Sequence, residues 1–129
     1  MPKEKMDLKV LYQLLLPSEM PLYFEVVKIE KNDKDQRVNI HLEEKNVLPE
    51  GYSTTEYESK GFHNEICVQD FPIRGKAAFL VIKRRRWRHK TTGEVIERDW
   101  HLVAEGTRIT QDFATFLKEF DRYKNRHNK

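Results

Sequence analysis

The chain has 129 residues, 38% hydrophobic and 35% charged, and its seven Phe, five Tyr and two Trp suffice for one modest core or two small lobes. A single cysteine, Cys67, excludes a disulfide framework and the usual cysteine-based zinc site; no apolar run is long enough to cross a membrane. The net charge of +3 hides an asymmetry: residues 1–71 carry 9 Lys+Arg against 14 Asp+Glu (−5), and residues 72–129 carry 15 against 7 (+8), which suggests a polyanionic partner for the basic half.

The N-terminus, M-P-K-E-K-M-D, carries acids and no apolar signal core, so the chain reads as cytoplasmic. Residues 7–16 then read as a helix, capped by Asp7, with Leu8, Leu11, Tyr12 and Leu15 at helical spacing and Pro17 as its stop; Pro21 prevents a restart. So apolar a helix docks in a core or on a partner, core packing being the commoner use. Residues 22–30 and 37–43 read as strands joined by the turn Asn32-Asp33-Lys34-Asp35, with Val38, Ile40 and Leu42 on one face and Arg37, Asn39, His41 and Glu43 on the other. His41 reads as a solvated histidine rather than a metal ligand.

Within the turn-rich stretch 46–61, with Pro49, Gly51 and Gly61, residues 51–61 read as a joint between an N-terminal helix and acidic hairpin lobe (1–50) and a basic lobe (62–129), unless the whole is one compact domain. A strand over residues 62–70 places Cys67 as an unreactive strand residue. Phe71-Pro72-Ile73-Arg74-Gly75 makes a turn, and residues 77–88 return antiparallel. A turn at residues 89–93 leads into a last strand at 94–101. After a link containing Gly106, Thr110 caps a helix over residues 111–124, whose stripe Phe113, Phe116, Leu117, Phe120 and Tyr123 reads as core. The basic tail (Arg122, Lys124, Arg126, His127, Lys129) extends a nucleic-acid footprint or acts as a linker. The expected class is α+β: antiparallel hairpins or sheet flanked by an N-terminal and a C-terminal helix.

Chemistry concentrates in residues 74–90, which hold eight cations and no acid. Alternation places Val81, Lys83, Arg85 and Trp87 on one face and Ile82, Arg84, Arg86 and Arg88 on the other, so both faces turn basic together. Five like charges in residues 83–88 repel unless an anion meets them. The candidate nucleic-acid contacts are Arg74, Lys76, Lys83, Arg84, Arg85, Arg86, Trp87, Arg88, His89 and Lys90. The competing reading is an internal ion-pair ladder in which Glu94, Glu97 and Asp99 face the arginines; three acids against eight cations leave five unmatched. Trp87 packs in a core or stacks on an unpaired base, core packing being the commoner role. No glycine-rich phosphate loop, nucleophile elbow or H-E-x-x-H is present, so no catalytic residue, metal or cofactor is assigned.

The string Asp70-Phe71-Pro72-Ile73-Arg74-Gly75-Lys76, then Leu80, then Arg84-Arg85-Arg86-Trp87-Arg88, resembles the N-terminal region of bacterial insertion-sequence transposases, where a zinc-ribbon-like module precedes a helix-turn-helix and an acidic-triad catalytic domain. Glu58-Ser59-Lys60-Gly61-Phe62, Gln69-Asp70, Arg98-Asp99-Trp100, Glu105-Gly106-Thr107-Arg108 and the leading segment with Leu42-Glu43-Glu44-Lys45-Asn46 bring it closer to a metal-free subgroup. His89-Lys90-Thr91-Thr92-Gly93 stands where a second cysteine pair falls in zinc-bearing relatives, so no zinc carries over; Trp87 against Trp100, with Gly93, would close the hairpin instead. The resemblance implies a non-catalytic DNA-docking module that contacts element ends through a basic β-ribbon. It implies DNA as partner, with the catalytic part of the transposase or a second copy as a further one. The alternatives are a single-strand or RNA-binding β module, and a protein-interaction module whose arginines are ion-paired.

Overall fold

The computed structural model describes residues 8–17, 20–100 and 108–127, with the side chains of residues 8, 9 and 123–127 outside that description. The Asp7 cap, Gly106, most of the E-G-T-R string and the Tyr123 end of the apolar stripe therefore lie outside it. The fold is α+β. In chain order it runs α1 (Leu8–Leu15), α2 (Met20–Tyr23), β1 (Phe24–Asn32), β2 (Arg37–Glu44), β3 (Tyr57–Phe62), β4 (Ile66–Ile73), β5 (Lys76–Lys83), β6 (Arg85–His89), β7 (Val95–Glu97) and α3 (Gln111–His127). No described helix is long and apolar enough to cross a membrane.

The strands make two sheets, ordered β1-β2-β5-β4 and β3-β6-β7. The β1–β2 hairpin forms where the alternation places it, and Asn32 closes its turn by bonding Asp35 through both side-chain amide atoms. β2 buries Val38, Ile40 and Leu42 and leaves Arg37, Asn39, His41 and Glu43 half-exposed. His41 is not simply solvated: its Nε2 contacts Glu30 Oε1 across the hairpin. The β4–β5 hairpin adds to β2 through β5, and the β2–β5 pair is parallel, against an expectation of antiparallel strands throughout. The reason is burial. β5 hides Ala78, Leu80, Val81 and Ile82, more than one wet-faced strand would, so it takes the inner place with a neighbour on each side. The long connection after β2 then lets it arrive in the parallel sense. Leu16, Met20 and Phe24, from the chain around α2, close the core over Leu42, Val68, Leu80 and Ile82.

Several boundaries move. Pro21 does not prevent a restart: it sits in the first turn of α2, where its missing N–H costs nothing. The segment read as a joint contains most of β3, and residues 62–70 divide between β3 and β4. The turn before β5 tightens to Arg74-Gly75, both at positive φ, so β4 runs on to Ile73. The single strand over residues 77–88 is two, broken at Arg84, because the chain leaves one sheet there and enters the other. β7 is three residues, not eight: Arg98 and Trp100 turn back to the first core, where Trp100 packs on Tyr23 and Phe24. Trp100 therefore does not pair with Trp87. α3 starts where Thr110 caps it, Thr110 Oγ1 accepting the Phe113 N–H. Its stripe is not core: Phe116 is 49% and Phe120 50% exposed, while Phe71 of β4 packs on Phe113 and Phe116 near the helix start.

Candidate nucleic-acid interface

Within the small sheet, β6 lies between β3 and β7. Alternation turns Arg85, Trp87 and His89 to one face and Arg86 and Arg88 to the other. Inward, Trp87 is fully buried and donates its indole N–H to Asn46 Oδ1 at 2.8 Å. Arg85 folds inward too. Its Nε donates to the Glu44 carbonyl oxygen at 3.0 Å, its Nη1 donates to Ser59 Oγ, and its guanidinium lies over the Phe62 ring at 4.5 Å. Glu44 ends the buried register of β2 at 1% exposure, one carboxylate oxygen accepting the Arg85 N–H and the other lying 3.5 Å from Arg98 Nε. Burial pushes the Glu44 carboxyl above the usual range, and these partners only partly offset that. His89 caps the following turn by accepting the N–H groups of Thr91 and Thr92, and stacks edge-on against Tyr57.

The outer face carries Arg86 and Arg88 on β6, Glu58 and Lys60 on β3, and Val95 and Glu97 on β7. Arg88 Nη2 bonds Glu58 Oε2 at 2.8 Å. Glu97 stands beside Arg86 in register, but its carboxylate contacts His63 instead. Among the described residues, neither Arg84 nor Arg86 has a carboxylate within 4 Å, and the Nε of each is out of water with no acceptor. Lys60 and Arg88 are exposed, and Arg84 and Arg86 are half-exposed.

The structure thus divides the ten candidates. Arg86 and Arg88 share the outer face of β6, and Arg84 sits at the crossing between the sheets just before it. Lys76 lies about 26 Å of strand away from Arg84, near Asp33 (Nζ to Oδ1, 3.7 Å), and Arg74 sits in the turn beyond it. Lys83 approaches Glu43 at 4.0 Å, and Lys90 Nζ donates to the Thr54 carbonyl oxygen. Arg85 and Trp87 point into the protein. Among the described residues one arginine of the basic run is ion-paired, Arg88 with Glu58; the Arg85 guanidinium bonds the Glu44 carbonyl oxygen, and the Glu44 carboxylate faces Arg98. Glu94 instead accepts the Tyr57 hydroxyl, which pushes that phenol up to about 12. Lys60 was missed; in the register that sets Glu58 against Arg88 and Ser59 against Trp87, it falls toward Arg86. Among the described residues no three His, Cys, Asp or Glu side chains converge as a metal site would require.

Comparison of the chain with protein-family models, curated proteins and solved structures returned no match.

Proposed function

We propose that this chain is a non-catalytic, cytoplasmic DNA-docking module of the transposase type, binding duplex phosphates with the outer face of the small sheet. The observation that carries the reading is the pair Arg84 and Arg86, two half-exposed arginines two residues apart with no carboxylate within 4 Å among the described residues. Phosphate is the anion that a guanidinium fork matches. Lys60 and Arg88 flank the pair, making about four phosphate contacts rather than a ribbon's six to eight. Since β6 is a central strand, the contact is a sheet face laid across the backbone, not a two-stranded ribbon inserted in a groove.

Duplex is favoured over single strands because stacking on unpaired bases needs an exposed ring. Trp87 is buried, and among the described residues the outer face of β3, β6 and β7 offers Arg, Lys, Glu and Val. The transposase assignment rests on the ordered motifs of residues 58–76, 84–88 and 98–108. The test is fluorescence anisotropy with labelled duplex across a salt series. The intact chain should show a log K against log salt slope of about −3 to −4, and R84A/R86A about half that slope. No binding at low salt, or unchanged binding by R84A/R86A, refutes the reading.

A further inference from the structure

The outer face of the small sheet carries an acid beside one of its arginines. Glu97 of β7 is the cross-strand partner of Arg86. Side chains paired in this way leave the same face of a sheet with Cβ atoms about 5 Å apart, close enough for a carboxylate to meet a guanidinium. Yet no carboxylate among the described residues lies within 4 Å of Arg86. The Glu97 carboxylate is taken by His63 instead. His63 follows β3 directly, and its backbone N–H donates to the Arg84 carbonyl oxygen at 2.9 Å, which sets it across from the start of β6. Its Nε2 lies against Glu97 Oε2 and is out of water. Because β6 lies between β3 and β7, this contact reaches from one flank of β6 to the other and draws the carboxylate toward the β3 side. Both side chains stay partly in water, at 30% and 49% exposure, so each could turn elsewhere if its partner were removed. The similar contact of His41 with Glu30 relieves no arginine, because the residue across from Glu30 is Asn39.

We infer that His63 is a positioning residue of the duplex-binding face: it holds the Glu97 carboxylate off Arg86 and so leaves that guanidinium for phosphate. This rests on the proposed duplex docking and names what keeps its central contact available. Released from His63, Glu97 would pair with Arg86 across the strands, the arrangement that opposite charges in register adopt. An arginine already neutralised by the protein displaces no counterion when a phosphate arrives, so the pairing would remove one contact from a face that offers about four. His63 itself need not touch the nucleic acid. Its part is to occupy the one acid that stands in register with Arg86.

The test is anisotropy of the full chain with labelled duplex across a salt series, run below the lowest melting transition of the variants compared. H63A should bind about two- to fivefold more weakly than the parent chain. Its log K against log salt slope should be less steep by about 0.5 to 1. H63Q, whose amide N–H can replace the Nε2 contact with Glu97, should stay near the parent. In the E97Q and R86A backgrounds alike, H63A should change neither affinity nor slope, because either the mask or its target is gone. An H63A variant that binds like the parent overturns the inference. So does H63Q as weak as H63A, or an H63A effect that persists in E97Q, which would make His63 a phosphate contact or a support of the fold. The two readings fail separately: a parent chain that ignores R84A/R86A refutes the docking itself, whereas a slope lowered by R84A/R86A but not by H63A strikes only the role of His63.

Discussion

Glu44 and Arg85 are bonded twice: Glu44 Oε1 accepts the Arg85 backbone N–H at 3.1 Å, and Arg85 Nε returns a bond to the Glu44 carbonyl oxygen at 3.0 Å. Glu44 ends β2 in the large sheet and Arg85 begins β6 in the small one. The pair is therefore a clasp between the sheets, placed where the basic strand leaves one for the other.

Removing the carboxylate should open that clasp. E44A leaves the Arg85 backbone N–H and Arg98 beside a cavity without the carboxylate, though the Arg85 Nε bond to the residue-44 carbonyl oxygen stays, and should cost about 3 kcal/mol of unfolding free energy. E44Q keeps an acceptor for the Arg85 N–H and should cost clearly less. Urea denaturation of both variants is the check; equal losses would show that the carboxylate only fills space.

Arg85 and Arg86 are neighbours with opposite work. R85A should lower stability by about 2 kcal/mol through its lost bonds to Glu44 and Ser59, yet leave duplex affinity nearly unchanged below its melting transition. R86A should do the reverse. Paired melting and anisotropy measurements separate them, and an R85A variant that keeps its stability but loses binding contradicts the inward placement of Arg85.

Arg74 sits at φ 51° in a two-residue hairpin turn with Gly75 at φ 80°. Both central residues at positive φ is the geometry that Asn-Gly adopts with least strain. R74N should therefore stabilise the fold by up to about 1 kcal/mol. It should leave duplex binding nearly unchanged, because the position is farther from Arg84 than the screening length of about 10 Å at ordinary salt. Denaturation midpoint and anisotropy together test this; a large loss of binding would return Arg74 to the contact surface.

The buried Asp70 carboxyl is raised above its ordinary value, chiefly by burial, with nearby Asp112 adding to it and the Thr110 and Phe71 hydrogen bonds opposing. With the folded pKa above the unfolded one, the native state holds the proton more tightly. This contribution is fully present below the unfolded pKa and is lost as pH rises through the folded one. D70N keeps an acceptor for Thr110 and has no proton to lose. Its stability relative to the parent chain should therefore improve as pH rises from about 4 to 7. Urea titrations at several pH values give the sign, and a difference that shrinks with rising pH counts against it.

Period-two burial made β2 legible, because one residue of register decides which side chains leave water, and β-prone apolar runs did the same for β1 and the middle of β5. Helix spacing with a capping threonine placed α3 for the same local reason. The charge of residues 74–90 was legible too, as was the absence of familiar catalytic motifs. What composition could not say is where that charge points. Arg85 and Arg86 are adjacent and chemically identical, and only the partners brought by distant segments, Glu44 from β2 and Ser59 and Phe62 from β3, turn one inward and leave the other with donors to spare. The exposure of the α3 stripe was likewise undecidable locally: an amphipathic helix states that it needs a cover, and whether its own sheet supplies one depends on how far the sheet extends beneath it. The sequence by itself determined β1, β2, the apolar run of β5, the capped helix and the basic run, since these rest on short-range pattern. The tertiary structure alone decided the parallel β2–β5 pairing, the break at Arg84 and the inward turn of Arg85, since each depends on contacts between residues far apart in the chain.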